Sequence, residues 1–390
     1  MPVVGVVGGG QLARMMQQAA IPLGVRLKLL AEGPDLSAAQ VVPDAVVGDY
    51  RDLATLRELT RGCDVLTFDH EHVPTEHLRA LQAGGVACRP GPDALVHAQD
   101  KWAMRHRLSE SGVPCPRHAQ VSSAKEVAAF AEDLGEWPVV LKSVRGGYDG
   151  KGVWFVSSYD DAESTLSGEA APALARDRVL LAEERVSFSR ELSVLLARSP
   201  SGQCAVYPVV ESVQVDGICR EVVVPAPDLP EALAGHAQTV AMWVAAELDV
   251  TGILAVEMFE TTDGRILVNE LAMRPHNTGH WSIDGADTSQ FENHLRAVLD
   301  LPLGSPLARS RWTVMVNILG GEVGRLYDGF PHVFARDPRL RVHLYGKDVK
   351  PGRKVGHVTA YTDGDDLPDL LARARHAAAW FRGELDDEEQ

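Results

Sequence analysis

No apolar run in the 390-residue chain approaches the ~20 residues that a helix needs to cross a bilayer. Nor does the start, Met1-Pro2-Val3-Val4-Gly5, have the basic beginning and cleavage site of a signal peptide, so a cytoplasmic location without membrane contact is expected. Cysteine is sparse. Cys63, Cys88, Cys115, Cys204 and Cys219 are odd in number and scattered, with no C-x-x-C pair. This argues against a disulfide framework or a cysteine zinc site and suits reduced thiols filling a core. Positive charge is also short, with 38 Lys and Arg against 54 Asp and Glu and a formal net charge of −16. Such a chain repels phosphate backbones, and nucleic acid is not an expected partner. A local basic cluster can still hold a small anion.

What is present is ordinary for a globular protein: 45% hydrophobic and 24% charged residues. The length suits two or three domains. Strands at Val3–Val7, 26–30 and 65–68 alternate with helical stretches at 11–20 and near 52–60, the pattern of βαβ units and a parallel sheet. A second region opens with a helix from Lys101 to Gly112. Strands are predicted there over 139–142, 153–157, 179–183, 191–197, 204–210, 253–261 and 265–271, with a helix over 233–248. Beyond Pro302-Leu303-Gly304 the pattern is β-rich, over 312–319, 342–345 and 355–362, and closes with a helix over 366–381.

Gly8-Gly9-Gly10-Gln11-Leu12-Ala13 has G-x-G-x-x-A spacing between a strand and a helix. Amides at such a helix start favour an anion. Glu32, at the end of the next strand, stands where an acidic residue would hold a nicotinamide ribose. The motif alone leaves three readings open: a dinucleotide, another phosphate-bearing ligand, or a turn that lets helix and strand pack closely.

The strongest constellation runs from Ala255 to Glu270. Asp263-Gly264 has the composition of a two-residue hairpin turn. Counting outward pairs Thr262 with Arg265, Phe259 with Val268 and Glu257 with Glu270. The glutamates then face each other on the side that carries Phe259, Thr261, Ile266 and Val268, with Asn269 on the other. Opposed like charges beside apolar neighbours are unstable. Magnesium, which takes one or two carboxylates together with nucleotide phosphates, resolves the conflict. A slipped register would instead leave one glutamate in solvent.

Lys142 ends the buried strand Val139-Val140-Leu141, where a lysine commonly snorkels. Gly146-Gly147-Tyr148-Asp149-Gly150-Lys151-Gly152 follows, with four glycines in seven residues. The amides of such a loop can close over phosphates. It is not a Walker loop, because no G-K-[ST] opens a helix. A plain hairpin connection is the alternative. Late in the chain, Lys347, Lys350, Arg353 and Lys354 form a basic loop that suits an anionic substrate, or else a solvated turn.

Together these features resemble the ATP-grasp superfamily and, within it, the N5-carboxyaminoimidazole ribonucleotide synthase family. The marks are Gly8-Gly9-Gly10-Gln11-Leu12-Ala13-Arg14-Met15, Gly147-Tyr148-Asp149-Gly150-Lys151-Gly152, the run from Asn269-Glu270 through Arg274-Pro275-His276-Asn277-Thr278-Gly279-His280-Trp281, and Pro351-Gly352-Arg353-Lys354-Val355-Gly356-His357. The resemblance implies a multidomain α/β and α+β fold. A Rossmann-like domain would span 1–100 and an ATP-grasp domain 101–300, with a lid subdomain over about 114–185. A small β-rich domain over 301–382 and an acidic disordered tail over 383–390 would follow.

By the same resemblance, Lys101 and Lys142 hold ATP phosphates under a lid of Gly147, Tyr148, Asp149, Gly150, Lys151, Gly152 and Val153. Glu183, Glu184, Arg185 and Val186 contact adenine, Glu191 the ribose, and Gln214 and Asn269 lie near the nucleotide. Glu257 and Glu270 bind magnesium. Gln11, Leu12, Tyr148, Asp149, Arg274, Lys347, Arg353 and Lys354 meet the aminoimidazole ribonucleotide. Two places depart from the family pattern. Val153 replaces a common Gln, and Thr67-Phe68-Asp69-His70-Glu71-His72 differs from Phe-Glu-x-Glu-Asn at Asp69 and His72, leaving Glu71 as the residue expected to contribute there.

The implied enzyme is a homodimeric ATP-dependent ligase of purine biosynthesis. It would carboxylate 5-aminoimidazole ribonucleotide with bicarbonate through carboxyphosphate. Asp149 would handle the amine proton, with Lys347 and Arg274 stabilising the carboxylating anion. Three competing readings remain: an NAD-dependent dehydrogenase, resting on the N-terminal glycines and Glu32; a sister ATP-grasp ligase; and a non-catalytic nucleotide-binding module.

Overall fold

The computed structural model describes residues 1–147 and 150–385. Among these residues the strands form three sheets. The first contains β1 (Val3–Val7), β2 (Arg26–Ala31), β3 (Ala45–Val47) and β4 (Val65–Phe68), all parallel in the order β3-β2-β1-β4. Every residue of β1 and β4 is buried, which is why both read as unbroken apolar runs. The helix Gln11–Leu23 starts directly after the glycines and ends at Gly24, whose φ of 64° lies in the left-handed region.

The second sheet holds β5 (His118–Val121), β6 (Val139–Ser143), β7 (Val153–Val156) and β8 (Leu180–Glu184), antiparallel in the order β5-β8-β6-β7. Val127 and Phe130 of the helix Ala124–Leu134 and Ala162 and Leu166 of the helix Tyr159–Ser167 pack with Val139 and Leu141 in one core. Lys142 pairs with Val153, so the glycine loop is the connection between β6 and β7.

The third sheet contains β9 (Phe188–Arg198), β10 (Cys204–Val206), β11 (Val210–Val215), β12 (Ile218–Val224), β13 (Gly252–Thr261), β14 (Ile266–Ala272), β15 (Trp312–Leu319), β16 (Arg341–Leu344) and β17 (Lys354–Thr362). Its order is β14-β13-β9-β11-β12-β15-β17-β16, with β10 on β9. The strand predicted over 204–210 is thus two strands separated by residues 207–209. Pairing of β12 with β15 makes the C-terminal strands a continuation of the central sheet. They also carry their own core, in which Val314, Val316, Val358 and Ala360 pack on Leu370, Ala374, Ala377 and Phe381 of the helix Leu367–Arg382. The expected tail begins as that helix's cap: Gly383 has φ 75° and the Glu384 amide donates to the Ala379 carbonyl at 3.1 Å. Residues 386–390 lie outside the described residues. No described helix is long and apolar enough to cross a membrane.

Candidate active site

Glu257 and Glu270 are paired across β13 and β14, as the hairpin count expects, but by a different path. The loop has three residues, 262–264, closed by the Thr261 amide on the Arg265 carbonyl at 2.9 Å, with Gly264 at φ 81°. Pairing therefore runs Glu260 to Ile266, Phe259 to Leu267 and Met258 to Val268, one residue off the expected register. A bulge between Met258 and Glu257 then restores it. The two offsets cancel. Ile266 and Val268 consequently lie in the apolar core with Met258 and Val256, not on the carboxylate face. The bulge also re-aims Asn269, which the regular register put on the far face: its Oδ1 accepts from Lys142 Nζ at 3.2 Å.

A third carboxylate joins from β9, because Ser193 pairs with Glu257 and Glu191 with Phe259. Burial and the neighbouring Glu270 push Glu191 up to about 7. Burial, Glu270 and Glu191 push Glu257 up to about 8, although Lys101 and Lys354 act against the rise. Glu270 goes the other way. Burial would raise it, but Lys101 and Lys142 outweigh that and hold it below its ordinary value. Lys101 makes a short ion pair with Glu270, and Lys142 Nζ lies 2.7 Å from Glu183 Oε2. Glu183 is only 2% exposed, yet Arg105 and Lys142 overcome the cost of its burial and keep it at about 2. Its carboxylate therefore serves the lysine, while the rest of the expected adenine segment runs from the last residue of β8 into the link to β9. There Glu184 accepts the Arg117 amide at 2.8 Å, Arg185 is exposed and Val186 is half-buried.

In the glycine loop, Gly152 has φ 76° and a Cβ there would sit 2.4 Å from Ser143 Oγ, so only glycine fits. Gly147 passes beside Lys101, and Gly150 rests against Gly217 in the turn between β11 and β12. Lys151 is exposed, and Val153 is half-buried at the start of β7. Tyr148 and Asp149, expected at the substrate, lie outside the described residues. Gln214 pairs with Cys219 on β12 and donates to Ser212 Oγ at 2.8 Å.

The expected substrate side is built from all three regions of the chain. Lys347 hydrogen-bonds Gln11, and Arg274 Nε is 2.8 Å from Glu71 Oε2. Arg353 and Lys354 are half-buried, the latter opening β17. The Leu12 side chain is buried in a core cluster, so what it can offer a ligand is its amide. Asp69 explains itself here: Oδ2 accepts from the Gly10 amide at 3.0 Å and Oδ1 from the Ala13 amide at 2.7 Å. It caps the helix Gln11–Leu23 from the end of β4 and leaves the Gln11 and Leu12 amides without an acceptor among the described residues. His70 lies 3.5 Å from Glu32, the acid that a nicotinamide ribose would have needed, and His72 stacks on His70.

Of the Arg-Pro-His-Asn run, His276, to which the sequence assigns no role, reaches the site as well. His276 Nε2 is 3.7 Å from Glu257 Oε1. Burial and then Arg274 and Lys354 push this histidine down to about 3, so it is a neutral partner to the carboxylates. Asn277 exchanges side-chain amide hydrogen bonds with Asn317 at 2.9 and 2.7 Å. Arg105, buried behind Lys142, is a further residue that sequence reasoning misses. A charged residue on the apolar side of a helix was the available signal.

Opposed carboxylates beside two lysines, under a glycine loop that joins two strands, define an ATP-grasp ligase, and the ATP-grasp domain family matches residues 106–291. The ribonucleotide synthetase preATP-grasp domain matches residues 1–99, and the phosphoribosylaminoimidazole carboxylase C-terminal domain matches residues 313–368. The chain is 54% identical over 383 residues to the N5-carboxyaminoimidazole ribonucleotide synthase of Mycobacterium bovis, covering 97% of this chain and 88% of the relative. It therefore belongs to the N5-carboxyaminoimidazole ribonucleotide synthase family.

Solved structures agree. The Aspergillus clavatus synthase, in complex with ADP and 5-aminoimidazole ribonucleotide, superimposes with a TM-score of 0.86 at 33% identity, covering 97% of this chain and 98% of that one. The Thermus thermophilus synthetase gives a TM-score of 0.83 at 37% identity, with 98% and 99% covered. The dehydrogenase reading is left without support.

Proposed function

We propose that this chain carboxylates the exocyclic amine of 5-aminoimidazole ribonucleotide with bicarbonate. ATP is converted to ADP and phosphate, in a step of purine biosynthesis. The observation that carries the reading is the adjacency of two sets of groups. Lys101, Lys142, Asn269 and Glu270 suit a nucleotide triphosphate, while Arg274, Lys347 and Lys354 suit an anionic partner, and Lys101, Lys354 and Arg274 all act electrostatically on or with Glu257.

Bicarbonate is a poor electrophile. Its oxygen would attack the γ-phosphorus of ATP, breaking the bond to ADP and giving carboxyphosphate. Lys101 and Lys142 would neutralise charge on the phosphoryl group in flight. Glu257 and Glu270 fit magnesium, since two carboxylates that repel each other match an oxygen-seeking cation completed by phosphates and water, and the ion would supply further charge neutralisation. The amine nitrogen would then attack the carboxyl carbon of carboxyphosphate, or carbon dioxide released from it, with phosphate departing. The glycine loop would exclude water from this short-lived intermediate. Arg274 and Lys347 are assigned to the carboxylating anion, and Asp149 is the candidate for the amine proton. Gln11, Leu12 and Arg353 are assigned to the ribonucleotide phosphate. A cytoplasmic homodimer completes the reading.

The test is ADP release with bicarbonate and the ribonucleotide supplied together or singly. Stimulation that requires both is expected. ADP release indifferent to the ribonucleotide would overturn the substrate assignment.

A further inference from the structure

Arg105 is a guanidinium sealed in the protein interior, 1% exposed, four residues after Lys101 on the helix Lys101–Glu110. Residues so spaced share a helix face, and here that face reaches into the nucleotide side of the site twice. Lys101 takes Glu270. Arg105 Nε takes Glu183 Oε1 at 2.5 Å, while Lys142 occupies the other oxygen of the same carboxylate at 2.7 Å.

The second arm of Arg105 has a different target. Nη1 donates to the Val268 carbonyl at 2.9 Å. Val268 lies on β14, the edge of the nine-stranded sheet, so its outward backbone groups have no strand to pair with. Pro114 accepts the Val268 amide at 2.8 Å and Arg105 satisfies the carbonyl. Val268 is the last residue paired before the bulge that delivers Asn269 and Glu270.

We infer that Arg105 is a positioning residue for ATP: through Glu183 it holds Lys142 in place, and through the Val268 carbonyl it fixes the bulge that presents Asn269 and Glu270. The inference rests on the reading that these three residues hold the nucleotide. Arg105 is too deeply placed to act directly. Its planar fork serves a carboxylate and a carbonyl at once, which a lysine ammonium on a flexible stem does not reproduce. Without it, Glu183 keeps Lys142 as its one cation, drawing the ammonium into a closed pair, and the edge strand loses its clamp at the bulge.

The experiment compares Arg105→Met and Arg105→Lys with the wild-type chain. It measures the affinity for a non-hydrolysable ATP analogue with magnesium by calorimetry, and the KM values for ATP and for the ribonucleotide. Arg105→Met keeps the Glu183–Lys142 pair and should weaken the ATP analogue by about tenfold or more, the scale of a lost charge-assisted hydrogen bond. The ribonucleotide KM should stay unchanged. Arg105→Lys should recover part of the affinity. A purely structural role would reduce the amount of folded enzyme and so kcat, leaving both the affinity per folded molecule and the KM values as in the wild type; that result overturns the inference. If Arg105→Met does not fold, Arg105→Lys decides alone: weakened ATP with an unchanged ribonucleotide KM supports the inference, and wild-type ATP affinity ends it. Should wild-type ADP release ignore the ribonucleotide, the substrate reading falls while the ATP affinities still judge Arg105.

Discussion

Glu257 and Glu270 stand opposite each other on adjacent strands, yet their surroundings push the two carboxyls in opposite directions. Burial and two neighbouring carboxylates push Glu257 up to about 8, while Lys101 and Lys142 overcome burial at Glu270 and hold it below its ordinary value. Removing Glu270 takes away the counterion of Lys101 and one of the two carboxylates proposed to hold magnesium. Glu270→Ala should therefore reduce ADP formation by on the order of 100-fold or more, as expected for a lost charge-organising group at a reacting phosphoryl. Steady-state ADP release is the measurement. Near-normal turnover would remove the hairpin from the phosphoryl-transfer site.

Glu257 makes the stability of the metal-free protein depend on pH. Its folded value of about 8 lies above the ordinary 4.5, so folding favours the protonated form. That contribution is complete below about 4.5 and is lost as pH rises through about 8. Glu257→Gln mimics the protonated acid and should melt close to wild type in acid. The gap in favour of the variant should widen up to about pH 8 and then level off. Magnesium with ATP should favour the wild type instead. Melting curves in chelator across this range are the check, and a pH-independent difference would defeat the assignment.

Much of this site was legible because local chemistry and spacing agreed. The Glu257–Glu270 pairing could be counted from a turn, and the glycine loop from its composition. The route was not legible: a three-residue loop and a bulge each moved the register by one residue, and only their sum matched the count. A period-two pattern does not reveal paired offsets, so Ile266, Val268 and Asn269 were placed on the wrong faces. Arg105 stayed hidden because its partners, Glu183 and Val268, are 78 and 163 residues away in sequence. The parallel sheet around β1 and β4 was plain from fully buried runs. The joining of β12 to β15 was not, since edge-to-edge pairing across a long insertion leaves no local trace.

Asp69, one residue beyond β4, caps the helix Gln11–Leu23 by accepting from the Gly10 and Ala13 amides. Asp69→Ala should cost about 1–2 kcal/mol, seen as a melting point lower by a few degrees. Gly10→Ala should cost more, because its Cβ would lie 2.2 Å from Asp69 Oδ2. The clash needs both groups, so the double variant should lose less than the two single losses combined. Simple additivity in thermal melts would show that Asp69 does not set the glycine requirement.

Arg353 can be removed without dismantling the loop that carries it. Its amide donates to the Lys350 carbonyl at 3.0 Å and its carbonyl accepts from the Gly320 amide at 2.7 Å, so the turn before β17 is held by main chain. Among the described residues the guanidinium makes only a long contact, 3.3 Å, to the Asp348 carbonyl. Arg353→Ala should therefore fold and melt like the wild type. Its ribonucleotide KM should rise about tenfold, the scale of one charge-assisted contact to a phosphate, with the KM for ATP little changed. Salt supplies an independent check. Part of the wild-type affinity would come from this charge, so added salt should weaken ribonucleotide binding more in the wild type than in the variant. An unchanged ribonucleotide KM would take the basic loop out of the substrate site.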